Sequence, residues 1–392
     1  MAARGISSND VTTGRLPRVS HGRGSYIWDT EGRQYIDGSG GPAVYCIGHG
    51  DARVNAAILA QLDRIAHGYR YLFEADALDE MTAIIAAGCG GDLSEMVFVS
   101  GGGSEANESA MKIALQYHYD NGEPARTRFI ARERSWHGNT LMTTALSGFA
   151  ARRHAFAGAL PEVGRVSPAN AYRPPAGVAP GALVPWLAAE LEAEIQRLGP
   201  QNVAAFVFEP VVGAAGGCVP APPGYARAMS EVCRRHGVLV IADEVMCGSG
   251  RSGVWRASAA DGIEPDIVTI AKGLSGGYLP LGAAVFTRRV GDVLRRGHGG
   301  PLTGHTYTGH TACLAAAVAV QKIIAEEGLV RRVAENGPQW MAELARRFDR
   351  FDETGDVRGR GYFIAIEFVK DRATREPPDP ALRLNERIRA EG

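Results

Sequence analysis

The stretch DIVTIAKGLSGGYLPLGAAVF, residues 266–286, sets two apolar runs on either side of a lysine and a cluster of glycines. DIVTIA (266–271) and GAAVF (282–286) are too short for helices and apolar on every side, as strands buried on both faces are. The same style recurs upstream in VLVIADEV (238–245), VAAFVFEP (203–210), RFIAR (128–132) and MVFVS (96–100). Helical segments separate several of these runs. One starts at about Ser104 and carries an apolar stripe of Ala106, Ala110, Ile113, Ala114 and Tyr117; another covers 225–236. Buried strands alternating with helices predict an α/β fold, with a mostly parallel sheet over roughly 90–290 covered by helices on both faces.

Outside that region the pattern changes. GSYIWDTEGRQYIDGSGG reads as a hairpin turned at DTEG, and residues 52–67 and 76–88 have helical patterning. From about residue 310 an Ala/Val-rich helix (311–326) leads to a second helix (328–349) and the strand YFIAIEFV. These predict a second, smaller α+β domain. The chain stops inside a helix-like stretch, ALRLNERIRAEG, which leaves little to cover the last strand, so part of the C-terminus is expected to be missing.

Bulk properties narrow the function. The 392 residues are 45% hydrophobic and 22% charged with a formal net charge of −1. Basic residues are scattered, which argues against a nucleic-acid partner. The sequence has no apolar run near the roughly 20 residues that span a bilayer and no apolar signal region at its start. Six cysteines, none in a C-x-x-C pair, fit reduced thiols in a cytoplasmic protein. No metal-ligand spacing appears.

In α/β sheets ligands bind beyond the carboxyl ends of the strands. Five ends carry chemistry: Gly101-Gly102-Gly103-Ser104, Trp136-His137-Gly138, Glu209, Asp243-Glu244 and Lys272. Glycines before a helix start suit an anion such as phosphate, although Ser104 would serve equally as a plain helix cap. Asp243 and Glu209 end apolar strands and must be paired, as structural ion pairs also are. Trp136 can stack on a ring or simply pack, and His137 is open in the same way.

Lys272 discriminates. Lys112, Lys272, Lys322 and Lys370 are the only lysines among 42 basic residues, so ordinary surface cations are arginines here. A desolvated lysine can become a neutral nucleophile, which arginine cannot. Snorkelling or pairing with an acid is the plain alternative, but no acid lies close to Lys272 in sequence. An aldehyde cofactor bearing a phosphate accounts for all five ends together: a Schiff base at the lysine, glycines on the phosphate, an aromatic on the ring, and Asp243 on a pyridinium nitrogen. That is the pyridoxal 5'-phosphate (PLP) constellation. A rival, the G-x-G-x-x-G match at Gly248-Ser249-Gly250-Arg251-Ser252-Gly253, lacks the helix a dinucleotide site needs.

With these residues in place, the sequence resembles the class III aminotransferases, PLP enzymes of the aspartate-aminotransferase fold (fold type I). The resemblance rests on SGGGSEANE (100–108), SWHGNT (135–140), EPVVGAAGG (209–217), ADEVMCGSGRSG (242–253), AKGLSGGYLPLGA (271–283) and GHTYTGH (304–310), in that order; GDVRGRGYF (355–363) fits the family's small domain. It implies a large PLP-binding domain over 51–300 and a small domain built from 1–50 and 301–392. It implies Lys272 as Schiff-base lysine and proton shuttle, and Asp243 on the pyridine nitrogen. Val245 and Trp136 would lie on the two ring faces, with Gly102, Gly103 and Ser104 on the phosphate and Glu209 near the ring substituents. His137 is carried with the cofactor-binding group. Thr306 would reach the phosphate held by the neighbouring subunit, which makes the enzyme a homodimer with active sites at the interface.

The implied activity is ping-pong transfer of an amino group from an amine or amino acid to a keto acid. Two departures matter. The stacking aromatic is usually Tyr or Phe, and here it is Trp136. SWHG and GDVRGRG also look like dialkylglycine decarboxylase, which raises decarboxylating transamination as an alternative. GGPAVYCIGH, however, places Pro42 about where that enzyme has a glutamine. A PLP-fold protein that binds without turnover is a further alternative, against which Lys272 and Asp243 argue.

Overall fold

The computed structural model describes residues 17–379 and Leu382. The helix-like end of the chain, apart from Leu382, therefore lies outside the described residues. Three antiparallel strands come first: β1 (Val19–Arg23), β2 (Tyr26–Asp29) and β3 (Gln34–Ile36). The hairpin at DTEG is β2–β3, and β1 is an addition to what the sequence pattern predicts.

The central sheet has seven strands: β4 (Leu93–Val99), β5 (Arg128–Arg132), β6 (Gly164–Val166), β7 (Val203–Phe208), β10 (Leu239–Asp243), β11 (Ile267–Ile270) and β12 (Gly282–Thr287). Its order is β4-β12-β11-β10-β7-β5-β6. A two-stranded pair, β8 (Val211–Val212) and β9 (Val219–Pro220), sits beside it, and β13 (Thr354–Arg360) pairs with β14 (Phe363–Phe368) near the end. Only β12 runs against the rest of the central sheet. The 271–281 connection explains why: it holds one short turn of helix rather than a full crossover, and parallel strands need a crossover of a dozen or more residues.

Both faces of the sheet are buried, and alternation along each strand sends side chains to two separate cores. Val240, Ala242, Val268 and Ile270 join the core beneath helices Asp76–Cys89, Leu183–Leu198 and Tyr225–Arg235. Leu239, Ile241 and Ile267 join the core beneath helices Gly103–Asp120 and Arg288–His298. The stripe of Ala106, Ala110, Ile113, Ala114 and Tyr117 is buried there as the periodicity predicts. By the same parity Asp243, two residues after Ile241, and Thr269, two after Ile267, face helix Gly103–Asp120. That placement builds the site. No helix among the described residues is long and apolar enough to cross a membrane.

Candidate active site

Asp243 is the last residue of β10 and is 3% exposed. Its Oδ2 accepts from Asn107 Nδ2 and from His137 Nδ1, each at 2.8 Å, and its Oδ1 accepts from the Val245 backbone N–H at 3.0 Å. Asn107 comes from the first turns of helix Gly103–Asp120. It donates again to the His137 carbonyl at 2.8 Å and accepts from Thr269 Oγ1 at 2.8 Å. Thr269 is the register partner of Asp243 on β11. One amide therefore ties helix, loop and two strands to one carboxylate. A carboxylate this buried needs such donors, because desolvation without them costs several kcal/mol.

Glu209 follows β7 and is also nearly buried. Its Oε1 accepts from the Trp136 N–H at 3.1 Å and its Oε2 from the Gly213 N–H at 2.8 Å. Burial raises its pKa above the usual carboxylate value; His137 opposes the rise, and the Asp243 charge adds to it. Arg132, at the end of β5, donates to the Glu209 backbone carbonyl. Trp136 is half-buried, with the Arg152 guanidinium 5.0 Å from its ring centroid.

Lys272 follows β11 at φ +47, in the left-handed region where non-glycine residues are uncommon. Burial lowers its pKa below the usual lysine value, while the charges of Asp243 and Glu209 pull it back up. Its Nζ has no hydrogen bond or ion pair with any described residue. A partly desolvated amine without a partner, held in a strained backbone conformation near two carboxylates, suits a covalent attachment point.

Helix Gly103–Asp120 starts at Gly102 with no side-chain cap, so its first N–H groups are left for an anion. Ser104 does not cap it; its Oγ accepts from the Asn139 N–H at 3.0 Å, tying the SWHGNT loop to the helix start. A Cβ on Gly103 would fall 2.6 Å from Val245 Cγ1, and one on Gly138 would fall 2.8 Å from Ser104 Cα. Glycine at 103 leaves room for the Val245 side chain, and glycine at 138 lets its backbone approach that of Ser104. The uncapped helix start, the partnerless amine and the packed Val245 fit a phosphate-bearing aldehyde such as PLP.

The structure brings Lys272, Asp243, Glu209, His137, Trp136, Val245 and the Gly102–Ser104 segment to one edge of the sheet. Thr306 is not among them: it is exposed, in a loop whose Tyr307 carbonyl accepts from Ser100 Oγ at 2.6 Å. His137 reaches the centre by holding Asp243. Asn107 and Thr269 were not singled out as site residues by sequence. Their signal was a lone polar residue within an apolar helix stripe and one within an apolar strand. A cleft of about 650 Å³ opens beyond the Ala214–Gly217 turn between Arg134, Arg173 and Arg358, and contains neither Lys272 nor Asp243.

Residues 9–392 match the family model Aminotransferase class-III. An aminotransferase of Gibberella zeae is 42% identical over 353 residues, covering 89% of this chain and 69% of that protein. An uncharacterised aminotransferase of Bacillus subtilis is 38% identical over 368 residues, 93% of this chain and 82% of the other. The solved structure of an amine transaminase from an uncultivated Pseudomonas species, in its PLP-bound form, superposes with a TM-score of 0.91 at 36% identity, covering 97% of this chain and 88% of that one.

Proposed function

The chain belongs to the class III aminotransferases, and from that premise we propose which of its residues carry the work of a PLP-dependent aminotransferase. Bound PLP supplies an aldehyde that takes up the amino group and a ring that accepts electrons from the substrate carbon. The observation that carries the assignment is Lys272: a partly desolvated amine with no partner, within the fields of Asp243 and Glu209.

Lys272 Nζ is the attachment point and the base that moves a proton at the substrate carbon. Its lowered pKa enlarges the neutral fraction able to accept that proton. Asp243, positioned by Asn107, His137 and the Val245 N–H, would hold the proton on the ring nitrogen. Gly102, Gly103 and Ser104 hold the phosphate at the uncapped helix start. Trp136, with Arg152 against its indole, and Val245 would hold the ring between them. Glu209 fixes the Trp136 backbone and lies by the ring substituents.

The donor is an amine or amino acid and the acceptor a keto acid. The working unit is a homodimer in which Thr306 serves the partner's phosphate. Support comes from the exposed apolar side chains Tyr71, Leu72, Phe73, Leu302 and Tyr307, which surround Thr306 in the chain and in the neighbouring 69–73 loop. Residues 51–300 form the cofactor-binding domain and the flanking segments the small one. A cytoplasmic location fits the free cysteines. The test is a panel of amines and amino acids added singly to the yellow PLP-loaded protein. A donor should discharge the yellow band, and a keto acid should restore it with release of the matching amino acid. No response to any donor would refute the reading.

A further inference from the structure

The motif Gly248–Gly253 does not open a helix, and the aminotransferase reading leaves its Ser249 and Arg251 without a task. Both line a second cavity, of about 370 Å³, which reaches from the turn at Gly24 and Ser25 to the start of helix Leu329–Phe348. Its wall includes Gly273 but not Lys272, Asp243, Glu209 or Trp136.

Arg251 is a cation with no counter-ion. Its Nη2 donates to the Tyr45 carbonyl at 2.6 Å, and among the described residues no carboxylate pairs with it. Burial lowers its pKa, and the groups that offset this are the thiols of Cys46 and Cys218. Burial pushes both thiols up to about 11, so they are uncharged near neutral pH. Arg53, on the same wall, is already engaged by Asp51 and Glu327. Charges taken out of water are retained where something pairs with them. Ser249 adds a second unmet demand. It sits at φ +53, is 5% exposed, and its Oγ is buried without a hydrogen-bond partner. A buried hydroxyl in that state and a side chain at positive φ are both costly. Apart from Arg332, the rest of the wall is largely apolar, with Ile323, Ile324, Val330 and Val333.

We propose that this cavity is a binding site, separate from the Lys272 centre, for a small organic carboxylate with an apolar body, its carboxylate lying on Arg251 and its body against Ile323, Ile324 and Val330. The cavity volume is in the range that small-molecule sites occupy. The inference goes beyond the aminotransferase reading, since the ligand is neither donor nor acceptor there.

The test is calorimetric titration of hexanoate into the PLP-loaded protein, with hexanamide as the uncharged control. Hexanoate should bind once per chain, and hexanamide at least about tenfold more weakly, the worth of a charge-assisted hydrogen bond. Arg251→Met should weaken hexanoate by the same factor. Because Arg251 also holds the Tyr45 carbonyl, Val330→Trp gives an independent check: it fills the cavity from helix Leu329–Phe348 and should abolish binding while leaving turnover intact. Four results overturn the proposal. These are no saturable heat up to about 10 mM hexanoate, equal binding of hexanamide, unchanged binding in Val330→Trp, or displacement of hexanoate by a saturating keto acid.

Discussion

Asn107→Ala removes the one side chain that links helix Gly103–Asp120 to both Asp243 and Thr269. Three hydrogen bonds go, all of 2.8 Å: one to the Asp243 carboxylate, one to the His137 carbonyl and one from Thr269 Oγ1. The bond to a charged group is worth about 1.5–3 kcal/mol and each neutral one about 1. Thr269 is fully buried and His137 is 2% exposed, so water does not readily replace the lost partner. The expected cost is about 3–5 kcal/mol. Thr269→Val removes only the third bond but strands Asn107 Oδ1, at about 1–2 kcal/mol. Urea unfolding of the cofactor-free protein measures both. The double variant should be less destabilised than the sum of the singles by about 1 kcal/mol, since the shared bond is counted twice in that sum. Strict additivity, or a cost below about 1 kcal/mol for Asn107→Ala, would show that this amide does not organise the site.

Asp243→Asn keeps the shape but loses the charge proposed for the ring nitrogen; PLP should stay bound while turnover falls by about two to three orders of magnitude or more, measured by single-turnover absorbance. Thr306→Ala should weaken PLP binding roughly ten- to a hundredfold without dissociating the proposed dimer. Mixing Lys272→Ala chains with Thr306→Ala chains should restore one tight, active site per dimer, and failure with heterodimers confirmed by mass would place Thr306 in its own chain's site. His118 is buried, its Nε2 is 2.9 Å from the Ala204 carbonyl, and burial lowers its pKa. Below its unfolded value near 6.5 the unfolded chain takes up a proton that the folded one refuses. Stability should therefore fall on acidification through that window, by at most about 1.4 kcal/mol per pH unit from this group. His118→Gln should flatten that part of the melting-temperature profile.

The strand ends were legible because an apolar run that stops at Asp243, Glu209 or Lys272 announces both the strand and the group it presents. The helix stripe Ala106–Tyr117 was legible for the same reason, a sustained period. What escaped was set by neighbours distant in sequence. That Thr269 lies in register with Asp243, and that Asn107 joins them, depends on which strands adjoin and in what order, and no local pattern encodes this. β1, VSHGR, and β13, TGDVRGR, are too polar or too rich in glycine to show strand periodicity, and β6 has only three residues. The reversed direction of β12 was within reach, since residues 271–281 are too few for a crossover helix.

The proposed chemistry turns on Lys272 as the residue that carries PLP. The direct measurement is borohydride reduction of the PLP-loaded protein, followed by proteolysis and mass mapping of the lysine that retains the cofactor. The expected result is one modified site, Lys272, absent from Lys272→Ala and from Lys272→Arg, since arginine cannot form the bond. Stoichiometric label on Lys112, Lys322 or Lys370 instead, or full turnover by Lys272→Ala, would contradict it.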